Sequence, residues 1–224
     1  MTGNGQPDES RMMRLYDYYR STAAYRVRIA LNLKGLSYQQ ARVNLLQGED
    51  SSADYRAINP QGLVPALVLD DTVLQQSLAI CEYLDEMQPE PPLLPGDPLQ
   101  RARIRALAQM VACDIHPVNN LRVLKYLTGE LGINEVRKLT WYRHWIDEGF
   151  HPIEQLLSAT ATEGAFCFGN QVTLADICLV PQVYNARRFE LDLTPYPRIV
   201  QIEQQCLQLD AFERARPEIQ PDAV

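Results

Sequence analysis

Five of the chain's fifteen prolines fall within eleven residues, QPEPPLLPGDP at 88–98. A proline fixes its own φ, lacks an amide proton and pushes its predecessor out of the helical region. No helix or central strand runs through such a stretch. It splits the 224 residues into two blocks, each large enough to bury a core of its own. We expect a disordered leader over 1–11, a mixed α/β domain over 12–94 and an all-helical domain over 95–224.

In the first block the apolar period changes from segment to segment. MRLYDYY reads as a strand. AAYRVRIALNLKG reads as a helix with Val27, Ala30, Leu31 and Lys34 on one face and Gly35 as its stop. SYQQARVNL is a second strand, and SSADYRAIN a short helix or irregular turn. VPALVLD and TVLQQ form a hairpin across Asp70–Asp71, and SLAICEYLDEM is a closing helix. The order β-α-β-α-β-β-α contains one βαβ unit followed by a hairpin and its covering helix. The second block shows helical periodicity only. Pro117 bends or breaks its first helix, and NEVRKLTWYRHWIDEGFHPIEQLLSA is one long helix or two.

Charge and cysteine usage exclude several functions. A net charge of −7 argues against nucleic acid and against anionic membrane as main partners. No apolar run approaches a membrane span, and the N-terminal residues lack the apolar core of a secretory signal. Five cysteines without CxxC spacing argue against a disulfide framework or a zinc site, and for a reducing, cytoplasmic setting. The three histidines have no metal-ligand spacing with them, so no metal is expected. We assign His144 to a helix surface with no role.

Four junctions invite chemistry. Ser21 and Thr22 stand between the first strand and first helix, where free amides and the helix dipole favour an anion; either also serves as a plain helix cap. In NPQGLVPAL, a cis Val64–Pro65 bond turns the backbone N–H and C=O of Val64 outward for an extended, peptide-like ligand; the plain alternative is a turn opening a strand. Gln76 and Ser77 form a second anion site where the last strand meets its helix, with capping by Ser77 as the alternative. Thr173 and Asp176 have the spacing of a capping box, and we read them as structural.

Taken together, these segments resemble the glutathione transferase superfamily over about residues 13–215, and within it the zeta class. RVRIAL after the first junction, the Asn-Pro turn leading to Val-Pro, the Gln-Ser pair and TLADICLVPQVYNARRFELDLTPYP carry the resemblance. It implies a thioredoxin-like domain with a mixed four-stranded sheet, followed by a helical-bundle domain. One motif departs from the class: Ser21-Thr22-Ala23 stands where the class has Ser-Ser-Cys. A mechanism that needs a protein thiol there is excluded; one that uses glutathione's own sulfur is not.

The resemblance also implies roles. Ser21, with Thr22 as a substitute, stabilises the glutathione thiolate. Val64, beside Pro65, pairs with the cysteinyl backbone of glutathione, and Gln76 and Ser77 hold its γ-glutamyl carboxylate. His116, Asn120 and Arg122 fall in the helical segment that contacts glutathione in the class; for His116 a satisfied histidine at a helix kink stands as an equal reading. Arg20 and Arg188, with Arg187 as a substitute, clamp substrate carboxylates, against a surface salt bridge for Arg187. The implied activity is glutathione-dependent cis–trans isomerisation of a maleyl keto acid, maleylacetoacetate first and maleylpyruvate second. Conjugation, dehalogenation or peroxidase activity on the same scaffold are alternatives, and a non-catalytic interaction domain is the remaining one. The class further implies a homodimer, joined through the helix after Ser77 and the first helix of the second domain.

Overall fold

The computed structural model describes residues 12–159 and 164–223; the leader expected at 1–11 lies outside them. Strand β1 (Met13–Asp17) leads into helix α1 (Thr22–Leu33), and β2 (Gln39–Arg42) returns parallel to β1. After α2 (Ala53–Ile58), β3 (Ala66–Leu69) and β4 (Thr72–Gln75) form an antiparallel hairpin, and α3 (Ser77–Met87) covers it. The sheet order is β2-β1-β3-β4, with β1 antiparallel to β3. The element order is the one the sequence pattern implied, and the arrangement is the thioredoxin-like one that the resemblance implied. The hairpin turns at Asp70, whose φ of 53° lies in the left-handed region that a short acidic side chain tolerates.

Helices build the rest: α4 (Pro98–Gln109), α5 (Leu121–Gly129), α6 (Glu135–Ala159), α7 (Leu174–Arg188), α8 (Pro197–Cys206) and the single turn α9 (Asp210–Glu213). The segment read as one helix or two is one, α6, with Pro152 inside it. Asp97 caps α4 by accepting from Gln100 N at 2.8 Å, and Pro98 occupies its first turn, where a missing N–H costs nothing. The helix then widens into a π turn (Met110–Ile115), breaks, and restarts as a 3-10 turn (Pro117–Asn119) before α5. Pro117 thus ends the helix. Against the π turn α6 presents Gly149; a Cβ there would lie 2.3 Å from Ile115, so only glycine permits this approach.

Helix α1 is more deeply placed than its one-sided apolar stripe suggested. It lies between the sheet and α7, and from Tyr25 to Leu31 every residue is buried. Its charged residues are therefore paired inside. Arg28 donates to both oxygens of Asp17 at 2.9 and 2.8 Å, to Tyr19 O at 2.9 Å and to Ala215 O at 3.0 Å. Lys34 meets Asp85 and the carbonyl of Pro91, both at 2.6 Å, which ties the end of α1 to the proline-rich linker. Buried charges are tolerated when paired in this way, and removing one partner typically costs about 3–5 kcal/mol. The box at the start of α7 forms as its spacing implied: Asp176 accepts from Thr173 N and Oγ1, and also from Cys167 N, each at 2.8 Å.

Candidate functional site

The β1–α1 turn sets the first group. Ser21 is the N-cap of α1, with Oγ accepting from Ala24 N at 3.2 Å. A hydroxyl that accepts the capping bond still has its own proton to donate. Capping and anion binding are therefore compatible in one residue.

Behind Ser21 lies Arg26, a residue given no role from sequence. It is 2% exposed. Its Nη1 donates to Ser77 Oγ at 3.2 Å and its Nη2 to His116 Nδ1 at 3.1 Å. The first bond leaves the Ser77 proton free for a carboxylate. Ser77 is not a cap: Gln76 holds that position, with φ 68°, an unfavourable value for a residue with a side chain. Sequence did hold a signal for Arg26. Two arginines two residues apart in an apolar helix point about 200° apart around the axis, so they cannot share one solvent face.

The second bond fixes the chemistry of His116. A guanidinium only donates, so Nδ1 is unprotonated and the ring proton sits on Nε2. Burial first, and the Arg26 charge second, push the imidazole pKa down to about 3. His116 is thus a neutral donor through Nε2. Thr22 Oγ1 also lies 2.9 Å from Nδ1. Since Nδ1 accepts, Thr22 donates its only hydroxyl proton there. This corrects the substitute role given to Thr22: that proton is not available to a thiolate.

These groups line one cleft with two lobes. The larger, about 360 Å³, holds Arg20, Ser21, Thr22, Tyr142, Gln182 and Arg188. The smaller, about 210 Å³, holds Pro65, Gln76, Ser77 and Arg26. Val64, His116, Asn120 and Arg122 border both lobes. The cleft therefore brings together eleven of the twelve residues singled out from sequence. The Val64–Pro65 bond is cis, and neither the N–H nor the C=O of Val64 has a partner among the described residues. Asn120 caps α5, with Oδ1 accepting from Arg122 N at 3.1 Å, and so sets where the Arg122 side chain begins.

Arg187 is the residue left out. It points away from the cleft, donating from Nε to Glu203 Oε1 at 3.0 Å. Arg188 lines the larger lobe, whereas Arg187, about 100° around the helix from it, lines neither lobe. The salt-bridge reading holds for Arg187.

The charge balance of the cleft is opposite to that of the chain. Arg20, Arg56, Arg122 and Arg188 line the larger lobe, and none is paired with a carboxylate among the described residues. Asp50 is the one acid in that lining. Unpaired guanidiniums with planar forks suit a ligand that carries several carboxylates.

Comparison with known proteins agrees. The family model for the glutathione S-transferase N-terminal domain matches residues 15–92. The chain is 52% identical over 211 residues to a probable maleylacetoacetate isomerase of Vibrio cholerae serotype O1, covering 93% of this chain and 97% of that one. Among solved structures it superposes on the holo form of a maleylpyruvate isomerase, described as a bacterial zeta-class glutathione S-transferase. The TM-score is 0.93 and the identity 49%, over 94% of this chain and 100% of that one. A maleylacetoacetate isomerase from Methylobacterium extorquens AM1, with bound malonate and glutathione, gives a TM-score of 0.91 at 44% identity, over 94% and 99%.

Proposed function

The chain belongs to the glutathione S-transferase family, in its zeta class, and from that premise we propose that it isomerises the cis double bond of a maleyl keto acid, maleylacetoacetate foremost, with glutathione as a recycled cofactor. The observation that carries this reading is the set of unpaired arginines Arg20, Arg122 and Arg188 around a helix N-terminus whose capping hydroxyl still has a proton to give.

The residues present fit glutathione. Val64 offers an unpartnered N–H and C=O to a peptide backbone, as a strand edge would. Ser77, its oxygen occupied by Arg26, directs its proton to a carboxylate, and Gln76 adds a neutral donor beside it. His116 Nε2, Asn120 and Arg122 close the wall on the helical side. Once bound, glutathione supplies a sulfur nucleophile that adds to, and later leaves, the alkene carbon β to the ketone. Ser21 holds the sulfur as an anion by donating to it, aided by the free amides and dipole of α1. Arg20 and Arg188 hold the carboxylates and so fix which carbon faces the sulfur. No protein thiol enters; Ala23 occupies the place where the class has cysteine.

A product assay tests the reading. Purified protein with a catalytic amount of glutathione converts maleylacetoacetate completely to the trans isomer, with all glutathione recovered. Stoichiometric consumption of glutathione instead identifies a conjugating transferase, dehalogenase or peroxidase. Maleylpyruvate is the second substrate reading, favoured by the match to a maleylpyruvate isomerase across its whole chain; kcat/KM on the two acids ranks them.

The same proposal includes a division into domains over 12–94 and 95–224, supported by the anchored linker between α3 and α4. It includes a homodimer through those two helices, supported by Met87 and Leu99, apolar residues exposed there; the molar mass in light scattering checks it. It places the protein in the cytoplasm, supported by five free thiols, four of them buried. No helix among the described residues is long and apolar enough to cross a membrane.

A further inference from the structure

Among the described residues, eight buried side-chain polar atoms lack a hydrogen-bond partner, and five of them belong to residues lining the larger lobe: Tyr18 Oη, Asp50 Oδ1, Asn119 Oδ1 and both amide atoms of Gln182. Buried polar groups are nearly always satisfied, and each orphan costs roughly 1–3 kcal/mol. A cluster of orphans around one cavity marks groups that a ligand completes. Gln182 stands out among them. It is 0% exposed, lies within the otherwise apolar run LVPQV of α7, and is the one described residue with both side-chain polar atoms unpartnered.

The other three are differently suited. Asn119 Nδ2 donates to Tyr142 O at 3.0 Å, which leaves an acceptor toward the lobe. Asp50 offers an acceptor with a charge. Tyr18 is a neutral donor, because burial raises its pKa. Gln182 Nε2 alone carries two unpartnered N–H groups, on a fixed helix that lines the lobe. Along α7 the stripe runs from exposed Arg188 through Asn185, 9% exposed, to Gln182. Six residues separate its ends, about 9 Å along the axis and about 120° around it, and all three residues line the larger lobe. A keto diacid held by a carboxylate at Arg188 would have Asn185 and Gln182 in the lining of the same lobe.

We infer that the Gln182 side-chain amide donates a hydrogen bond to the ketone oxygen of the substrate, the atom that carries the charge displaced from the double bond. The inference rests on the isomerase reading above. As the carbon–sulfur bond forms, the alkene π pair moves through the conjugated system onto that oxygen. Rotation about the resulting single bond follows. The pair then returns, the carbon–sulfur bond breaks and the trans alkene forms. No proton, oxidant or reductant is consumed. A neutral donor preset at that oxygen stabilises the charged stage more than the ketone, which is how such donors accelerate reactions.

The test compares Gln182→Met and Gln182→Leu with wild type in four measurements. Isomerase kcat is expected to fall roughly 10²-fold or more, as when one oxyanion donor is removed. Affinity for a saturated diketo diacid, which has no alkene to react, weakens about two- to tenfold in calorimetry, the effect of one lost hydrogen bond. Glutathione alkylation by an alkyl halide, a displacement that puts no charge on a ketone, falls far less than isomerase kcat. The melting temperature stays level or rises, because an orphaned amide has been replaced by an apolar group. Unchanged kcat in both variants overturns the inference. So does a lowered melting temperature with equal losses in both reactions, since that describes a packing residue. If wild type itself isomerises no maleyl keto acid, it is the isomerase reading that has failed, and that result is visible before any variant is made.

Discussion

Thr22 Oγ1 lies 2.9 Å from His116 Nδ1, joining the start of α1 to the helical half across 94 positions of sequence. The bond is directional, because Arg26 already requires Nδ1 to accept. The Thr22 hydroxyl therefore orients an imidazole whose remaining proton, on Nε2, is available to a ligand. A seam built this way makes the position of the glutathione-side donor depend on both halves at once.

Thr22→Val removes this bond while keeping the branched shape. One lost hydrogen bond of about 1 kcal/mol corresponds to roughly fivefold weaker glutathione binding. The pKa of bound glutathione should stay at the wild-type value, because the Thr22 proton never reached the sulfur. Calorimetry and a thiolate absorbance titration measure the two quantities separately. A raised thiol pKa in this variant would return Thr22 to the catalytic role.

Ser21→Ala should give the opposite pattern. In the proposed role its hydroxyl donates to an anion and lowers the thiol pKa, so removing it should raise that pKa and shrink the thiolate fraction at neutral pH. We expect kcat at pH 7 to fall roughly 10²–10³-fold, with partial recovery as pH rises through the new thiol pKa. Loss of the cap bond to Ala24 N costs about 1 kcal/mol of stability in addition. Equal thiol pKa values in variant and wild type would remove Ser21 from the mechanism.

Arg188→Ala and Arg187→Ala separate two neighbours that sequence left interchangeable. Arg188 faces the cleft without a carboxylate partner, so its loss should reduce kcat/KM on a maleyl diacid by tenfold or more, a charge-assisted bond of roughly 1.5–3 kcal/mol, while turnover of a neutral electrophile changes little. Arg187 pairs with Glu203, which is 4% exposed. Its loss leaves a buried carboxylate unpaired, lowering the melting temperature with kcat retained. If Arg187→Ala proved the more damaging to diacid turnover, the assignment would reverse.

Much of this was legible in the chain because the signals are local. Proline spacing located the linker, changes of apolar period gave the element order, and Thr173 with Asp176 formed the box that its three-residue spacing prescribes. The placement of Ser21, Val64 and Ser77 on one cleft follows from junctions between elements, which sequence also marks. What escaped depends on tertiary placement. Arg26 and Arg28 received no role from sequence, and their burial shows only once α1 is seen between the sheet and α7. Gln182 sits in an apolar run where one polar residue gives no period of its own. The choice between Arg187 and Arg188 turns on about 100° of helix rotation, which a pattern without fixed helix bounds does not resolve. Of the two readings of His116, the structure shows the satisfied histidine, held at Nδ1 by Arg26 and Thr22; its contact with glutathione belongs to the proposal.

His116 also gives the protein a pH signature. Its folded pKa is about 3, lowered by burial and by Arg26, against about 6.5 in an unfolded chain. Between those values the unfolded chain binds a proton that the folded protein refuses. The stability gained from keeping the ring neutral is full above pH 6.5. It is lost as pH falls toward 3, by up to about 1.4 kcal/mol per pH unit, and levels off below. Carboxylates contribute their own slope at the acid end, so the informative quantity is the difference between wild type and His116→Gln, which does not titrate. Urea unfolding between pH 7.5 and 4.5 should show wild type losing stability faster than the variant as pH falls, with the two curves diverging from about pH 6.5. Parallel curves would mean that His116 accepts a proton in the folded protein as readily as in the unfolded chain. The Arg26–His116 contact would then not fix the tautomer on which the donor role of Nε2 depends.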